Sequence, residues 1–184
     1  MSASLRLSTG RLALRPLDPE DLDALAAMLG DPVGMASWPA PLSYAESRAW
    51  IERTRERYQT DGFGRCAIVW RETGELVGDA GLISTLVEAT PEIELGWVVR
   101  HDMKGRGIAT EAGAAWRDFA FDVLGLTRIV SMIDETNAAS RRVAEKLGMA
   151  VEREAIWGDD PMLMYSLSRP PRSGPGWRPQ EHPA

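Results

Sequence analysis

The chain has 184 residues, 44% of them hydrophobic, which suffices for one domain with a substantial core, and its formal charge of −6 argues against non-specific binding to nucleic acid. The single cysteine, Cys66, excludes an internal disulfide and a cysteine zinc cage, and the two histidines are too far apart in sequence to predict a metal site. Because no apolar run approaches about 20 residues and the N-terminal stretch lacks a signal core, the sequence predicts a cytoplasmic protein that does not enter a membrane.

The first third of the chain predicts a strand and two helices. Residues 11–15 alternate between apolar and polar side chains, which is typical of a strand. A helix should follow, capped by Asp18 and ended by Gly30. Ser43 and Glu46 have the spacing of a capping box, so a second helix is predicted to begin there.

The rest of the chain alternates between strands and helices. Two apolar runs joined by a turn near residues 72–74 predict a hairpin. The periodicity then predicts a strand at 92–99, an amphipathic helix at 110–124 and a strand at 128–134. A short helix at 137–147 and two strands at 151–157 and 162–167 should follow. We therefore expect a single α/β domain over residues 1–169. Residues 170–184 are rich in proline and glycine and are predicted to form a mobile tail.

The segment KGRGIATEA, residues 104–112, lies between a predicted strand and a predicted helix. Gly105 and Gly107 can adopt positive φ, and the first turn of the helix offers free N–H groups to an anion such as a phosphate. A plain tight turn before a helix explains the local pattern equally well. Neither the Walker loop nor the dinucleotide fingerprint fits, since Thr110 stands where a third glycine or alanine would be needed.

Three segments, ELGWVV, KGRGIATEA and NAASRRVAEKLGM, resemble successive parts of the GNAT superfamily of acetyl-CoA-dependent N-acetyltransferases. Within it, the chain is most similar to the branch of ribosomal-protein N-terminal alanine or serine acetyltransferases. The family motif Gln/Arg-x-x-Gly-x-Gly/Ala falls on Lys104, Gly107 and Ala109, with lysine in place of the usual first residue. The resemblance implies a mixed, mostly antiparallel sheet flanked by helices, with a V-shaped splay between the fourth and fifth strands, and a homodimer as in that branch.

The resemblance also implies acetyl-CoA as the cosubstrate. Its pyrophosphate is expected on backbone N–H groups of the glycine loop, and its pantetheine arm between the strands predicted at 92–99 and 128–134. Asn137 matches a family position near the pantetheine, although an ordinary helix N-cap explains it equally well. The implied cofactor contacts are Trp97, Val98, Val99, Lys104, Gly105, Arg106, Gly107, Ile108, Ala109, Thr110, Asn137 and Ser140.

Attack of an amine on a thioester needs a proton acceptor, a donor to the carbonyl oxygen and help for the leaving thiolate. The resemblance implies Glu94 as the catalytic base. Glu92 on the same face is the next choice, and Glu152 or Glu154 on a later strand could reach the cleft through water; for each of them a solvated surface carboxylate is the alternative. The tyrosine that usually serves the thiolate falls on Ala144. Ser140 is therefore expected in its place, as in the ribosomal-protein branch.

The acceptor amine is open at this stage. Trp38, in the loop between the first two helices, matches the border of the family's acceptor cleft, and Glu92 is the second residue expected to bind the acceptor. An acidic cleft formed by Glu92, Glu94 and Asp79 would favour a cationic acceptor. The branch implies a peptide or protein N-terminal α-amine, and a polyamine or aminoglycoside-like metabolite is the alternative. A non-catalytic acyl-CoA-binding module is a third reading, supported only by the missing tyrosine.

Overall fold

The computed structural model describes residues 5–169, which contain eight strands and four α-helices. The strands are β1 (Leu7–Ser8), β2 (Leu12–Pro16), β3 (Arg65–Trp70), β4 (Leu76–Val87), β5 (Thr90–Val99), β6 (Arg128–Ile133), β7 (Ala150–Trp157) and β8 (Asp160–Ser168). The helices are α1 (Leu22–Leu29), α2 (Tyr44–Thr60), α3 (Ile108–Asp122) and α4 (Ala138–Lys146). The tail predicted at 170–184 lies outside the described residues.

All eight strands belong to one open sheet with the order β1-β2-β3-β4-β5-β6-β8-β7. Neighbouring strands are antiparallel except β5 and β6, which are parallel and share a single registered pair, Glu94 with Val130. Beyond that pair the two strands diverge. The predicted mixed sheet is confirmed. The splay lies between the segments predicted at 92–99 and 128–134, as expected. These segments are the fifth and sixth strands, not the fourth and fifth, because the two-residue β1 was too short to show a period.

The helices cover both faces of the sheet. Helices α3 and α4 pack on one face around the fully buried Trp116, and α1 and α2 pack on the other through residues such as Ile51. Along β5 the side chains alternate, so Leu95 enters the first core and Val98 the second. Glu94 therefore faces α1 and α2. We call this side of strands β3, β4 and β5 the acceptor face.

Most predicted helix ends are close to the observed ones. The capping box is present, since the Glu46 carboxylate accepts a hydrogen bond from the Ser43 N–H at 2.7 Å. The first predicted helix differs, because Asp18 caps a 3₁₀ turn and the α-helix begins only at Leu22. No helix among residues 5–169 has the length and apolar character needed to cross a bilayer.

Candidate acetyl-CoA and catalytic site

The splay between β5 and β6 opens into a cleft of about 330 Å³. Its walls come from the second half of β5, the glycine loop, the first turns of α3 and α4, and the loop between α1 and α2. All the predicted cofactor contacts except Arg106 line this cleft, and so does Trp38. Further lining residues that the sequence analysis did not single out are Gly34, Ser37, Met103, Ala139, Arg142, Val143 and Lys146.

Two glycines with left-handed backbone shape the loop before α3. Gly105 and Gly107 both have φ of 78°, a conformation that strains any residue with a side chain. Gly107 is also the N-cap of α3, so the helix begins at Ile108, two residues earlier than predicted. The first turn leaves the N–H groups of residues 108–110 without acceptors inside the helix, at its positive end. This end of the cleft, which we call the cofactor end, fits the pyrophosphate of coenzyme A.

Arg11 holds the glycine loop from behind. Its Nε donates to Glu111 in the first turn of α3 at 2.7 Å, and its Nη1 donates to the carbonyl oxygen of Arg106 at 3.0 Å. Arg106 thus contributes its backbone to the loop, while its side chain lies outside the cleft. This arginine, which directly precedes β2, ties the loop to the helix that follows it, so the N–H groups keep a fixed direction.

Three basic side chains surround the cofactor end. Lys104 donates from Nζ to the carbonyl oxygen of Gly34 at 2.7 Å, which links the glycine loop to the loop between α1 and α2. Arg142 and Lys146, one helical turn apart on α4, line the opposite wall. The four-residue spacing of Arg142 and Lys146 could have indicated a shared basic face from the sequence, but the basic face of a short helix is usually only solvated. These cations fit the phosphates of coenzyme A.

Next to the cleft, a side-chain hydrogen bond links β5 and β6 in place of backbone pairing. The buried Ser131 hydroxyl on β6 donates to the carbonyl oxygen of Leu95 at 2.6 Å. Past this bridge, Trp97, Val98 and Val99 line the cleft, and within residues 5–169 this part of β5 is paired only with β4. The free edge of β5 can therefore bind the amides of a pantetheine arm.

Glu94 lies where β5 and β6 separate, on the acceptor face behind the cleft. Its side chain is buried, and its Oε2 has no hydrogen-bond partner among residues 5–169. Burial raises the pKa of Glu94 to about 7, against the lowering effects of the Arg65 charge and of a hydrogen bond from the Met132 N–H. A carboxyl group with this pKa can take up and release a proton near neutral pH.

The acidic cleft expected from three carboxylates does not form. Glu92 is bound by Arg128 at 3.2 Å, and Arg128 also binds Glu152 at 2.7 Å. Glu92 therefore lies in an ion cluster outside the cleft, because Arg128 faces it across the narrow end of the splay. Asp79 is paired with Arg65 in the interior. Of the three carboxyl groups, only Glu94 forms no salt bridge with another described residue.

Asn137 and Ser140 line the cleft at the start of α4. The Asn137 side chain accepts a hydrogen bond from the Ser140 N–H at 3.0 Å, so the N-cap interpretation is confirmed. The Ser140 hydroxyl bonds to no protein group in the part of the chain that the structure describes. Ala144, at the position of the family's tyrosine, is fully buried in the core. Trp38 completes the lining beside Trp50, with ring centroids 5.8 Å apart.

Comparison with known proteins agrees with this geometry. Residues 11–150 match the family model of the acetyltransferase (GNAT) domain. The acetyltransferase of Agrobacterium tumefaciens is 31% identical, with a TM-score of 0.81 over 91% of this chain and 96% of that one. The ribosomal L7/L12 alpha-N-protein acetyltransferase RimL, solved with coenzyme A, is 20% identical, with a TM-score of 0.71 over 87% and 95%. The spermidine N(1)-acetyltransferase of Escherichia coli is 26% identical over 153 residues, 81% of this chain and 78% of that protein.

Proposed function

The chain belongs to the GNAT family and is an acetyl-CoA-dependent N-acetyltransferase; we propose that its acceptor is the α-amine of a peptide or protein N-terminus, which attacks directly in a ternary complex. Bound acetyl-CoA supplies the acyl group as a reactive thioester. The observation that carries the proposal is Glu94, the one carboxyl group of the expected acidic set that forms no salt bridge within residues 5–169.

The pKa of Glu94 suits an α-amine better than an alkylamine. Its value of about 7 lies roughly one unit below that of an α-ammonium group, and roughly three units below that of a lysine-like ammonium group. Each unit corresponds to about 1.4 kcal/mol, so deprotonation by Glu94 costs about 1.4 kcal/mol for an α-amine and about 4 to 5 kcal/mol for an alkylamine. The smaller cost, that for an α-amine, leaves enough of the amine in its neutral form to attack the thioester.

The distribution of charge also favours an acceptor with one positive charge. A polyamine needs several carboxylates, but Asp79 and Glu92 are already paired with arginines. Acetylation of a small polyamine or aminoglycoside-like molecule is therefore the weaker alternative.

The remaining residues have supporting roles in this proposal. Glu94 takes the proton of the amine, directly or through a water molecule, while Trp38 forms an apolar wall beside it. A backbone N–H of Val98 or Val99 stabilises the charge that develops on the carbonyl oxygen. The Ser140 hydroxyl, fixed in place because Asn137 binds its backbone, donates a hydrogen bond to the departing sulfur.

A thiol-release assay with acetyl-CoA tests this function. Peptides that begin with Ser, Ala or Thr are compared with spermidine and an aminoglycoside, and coenzyme A binding is measured separately by calorimetry. We expect turnover of the peptides. Turnover of the small amines alone would contradict the proposed acceptor. Tight coenzyme A binding without any turnover would support the non-catalytic acyl-CoA-binding module instead.

A further inference from the structure

Two glycines allow Arg65 to lie across the acceptor face. Arg65 on β3 is in register with Gly81 on β4, which is in register with Gly96 on β5. A Cβ atom at Gly81 would overlap the Arg65 backbone, and a Cβ atom at Gly96 would overlap Arg65 Nη1. The arginine side chain therefore runs over Gly81, and its guanidinium group ends above Gly96.

Two of the three guanidinium nitrogens of Arg65 have hydrogen-bond partners within residues 5–169, and the third does not. Nε donates to Asp79 at 2.8 Å, and Nη2 binds the other carboxylate oxygen. Trp50 stacks on the guanidinium group, with Cζ 5.1 Å from the ring centroid, and donates from Nε1 to Asp79 at 3.0 Å. Nη1 donates to no group within residues 5–169. Both neighbours of the guanidinium thus fix its orientation, and neither uses Nη1.

An unused donor and an unused acceptor consequently lie close together on one face of β5. Glu94 precedes Gly96 by two residues, so its side chain emerges on the same side of the strand, next to the position of Arg65 Nη1. Glu94 Oε2 is buried without a hydrogen-bond partner among residues 5–169, and Arg65 as a whole is also at least nine-tenths buried. A buried acceptor without a partner is costly, so Glu94, with the Nη1 donor beside it, is expected to bind a ligand that offers the complementary donor and acceptor.

We propose that Arg65 is an acceptor-specificity residue that recognises the carbonyl group adjacent to the reacting amine. This inference rests on the proposed function. In an N-terminal residue the ammonium group and the first carbonyl oxygen are separated only by Cα. The ammonium group donates to Glu94, and the carbonyl oxygen accepts from Arg65 Nη1. A polyamine has no carbonyl oxygen that could accept from Nη1.

The substitution Arg65→Lys tests this role. Lysine keeps a positive charge beside Asp79 but cannot present a second donor above Gly96. We expect the wild type to prefer an alanine-initiated peptide over a monoamine that lacks the carbonyl group. In Arg65→Lys, kcat/KM for the peptide should fall by at least about 10-fold, because a site built for a hydrogen bond is sensitive to its loss. The value for the monoamine should change by less than about 3-fold, and coenzyme A binding should not change.

A matched control comes from the same sheet. Arg15 on β2 binds Asp21 through two nitrogens at 2.7 Å, a pair similar to that of Arg65 but away from the cleft. The variant Arg15→Lys should leave kcat/KM unchanged for both substrates. A second variant, Gly96→Ala, displaces Nη1 without removing the guanidinium group, and it should reproduce the selective loss on the peptide if Arg65→Lys does not fold.

The possible failures can be told apart. Equal losses on peptide and monoamine in both Arg65→Lys and Gly96→Ala would mean that Arg65 only supports the fold, and would overturn this inference alone. The same conclusion follows if the wild type acetylates the monoamine as efficiently as the peptide. If the wild type acetylates no amine at all, the proposed function fails, and the role of Arg65 fails with it.

Discussion

The cofactor end and the acceptor face differ in the chemical groups that they offer to a ligand. At the cofactor end, the N–H groups of residues 108–110 lie at a helix terminus beside an open cleft, and side chains contribute mainly charge. On the acceptor face, buried side chains from three strands hold one another in place, as Arg65 and Asp79 do. A backbone site tolerates substitution but depends on local conformation. A side-chain site depends on which residues distant strands bring together, so single substitutions there should affect chemistry and spare cofactor binding.

Glu94→Gln is expected to show the largest difference between the two regions, because it should lower kcat and leave coenzyme A affinity unchanged. Glutamine keeps the shape of the side chain but cannot accept a proton, so kcat should fall by about 10²–10⁴-fold. Coenzyme A affinity should stay within about 2-fold, since Glu94 does not line the cofactor end. Thiol release and calorimetry measure the two quantities. The exposed Glu56 on α2 provides the control variant Glu56→Gln, and a parallel loss of coenzyme A binding in Glu94→Gln would contradict the separation.

The same residue predicts how stability depends on pH. The pKa of Glu94 is raised from 4.5 to about 7 in the folded state, so the folded protein binds more protons than the unfolded chain between those values. Its contribution to the free energy of unfolding therefore falls as pH rises from about 4.5 to 7, by up to about 3 kcal/mol.

Urea denaturation at pH 5 and pH 8 measures this effect. Glu94→Gln should lose the fall in stability and be more stable than the wild type at pH 8. The activity of the wild type should rise over the same range, because the carboxylate form of Glu94 is the base. An identical pH dependence of stability in the two proteins would contradict the buried, unpaired state of this carboxyl group.

Gly107→Ala tests the cofactor end. The left-handed φ of 78° costs a residue with a Cβ about 1–2 kcal/mol, so either stability falls or the loop shifts and coenzyme A affinity drops by about 10-fold. Gly10→Ala is the control, since a Cβ there meets nothing within 4 Å. Calorimetry with coenzyme A and thermal unfolding measure the two effects. Unchanged binding and stability would mean that the loop conformation is not needed.

The smallest effect is expected from the cations on α4. Replacing Arg142 and Lys146 together by glutamine should weaken coenzyme A binding by about 3-fold at low salt, and the difference should shrink above about 0.5 M salt because exposed charges are screened. Arg53 on α2, exposed and outside the cleft lining, gives the control Arg53→Gln. A loss that persists at high salt would indicate specific hydrogen bonds instead of charge.

Much of the cofactor end could be predicted from the sequence, because it depends on residues that are close along the chain. The two left-handed glycines, the helix start and the Asn137 cap each involve neighbours within a few positions. The helix boundary was still misplaced by two residues. Arg142 and Lys146 were missed because their periodicity is also that of an ordinary solvated helix face.

The acceptor face could be predicted only in part. The choice of Glu94 as the base came from a family resemblance and stays a prediction. No local pattern could distinguish it from Glu92, which differs only in facing Arg128, 36 positions away. Likewise, the partner of Asp79 is Arg65, 14 positions away on the neighbouring strand β3, and no short-range pattern indicates that pair.

The sequence by itself thus indicated the family, through its resemblance to known motifs, and determined the order of the elements and the glycine loop, since local backbone conformation and short-range periodicity encode these two features. The tertiary structure alone decided which carboxyl group remains unpaired and which arginine reaches the splay. These properties follow from strand register, which brings together residues distant in the chain, and from burial, which changes the pKa of Glu94 and leaves its Oε2 without a partner in the described structure.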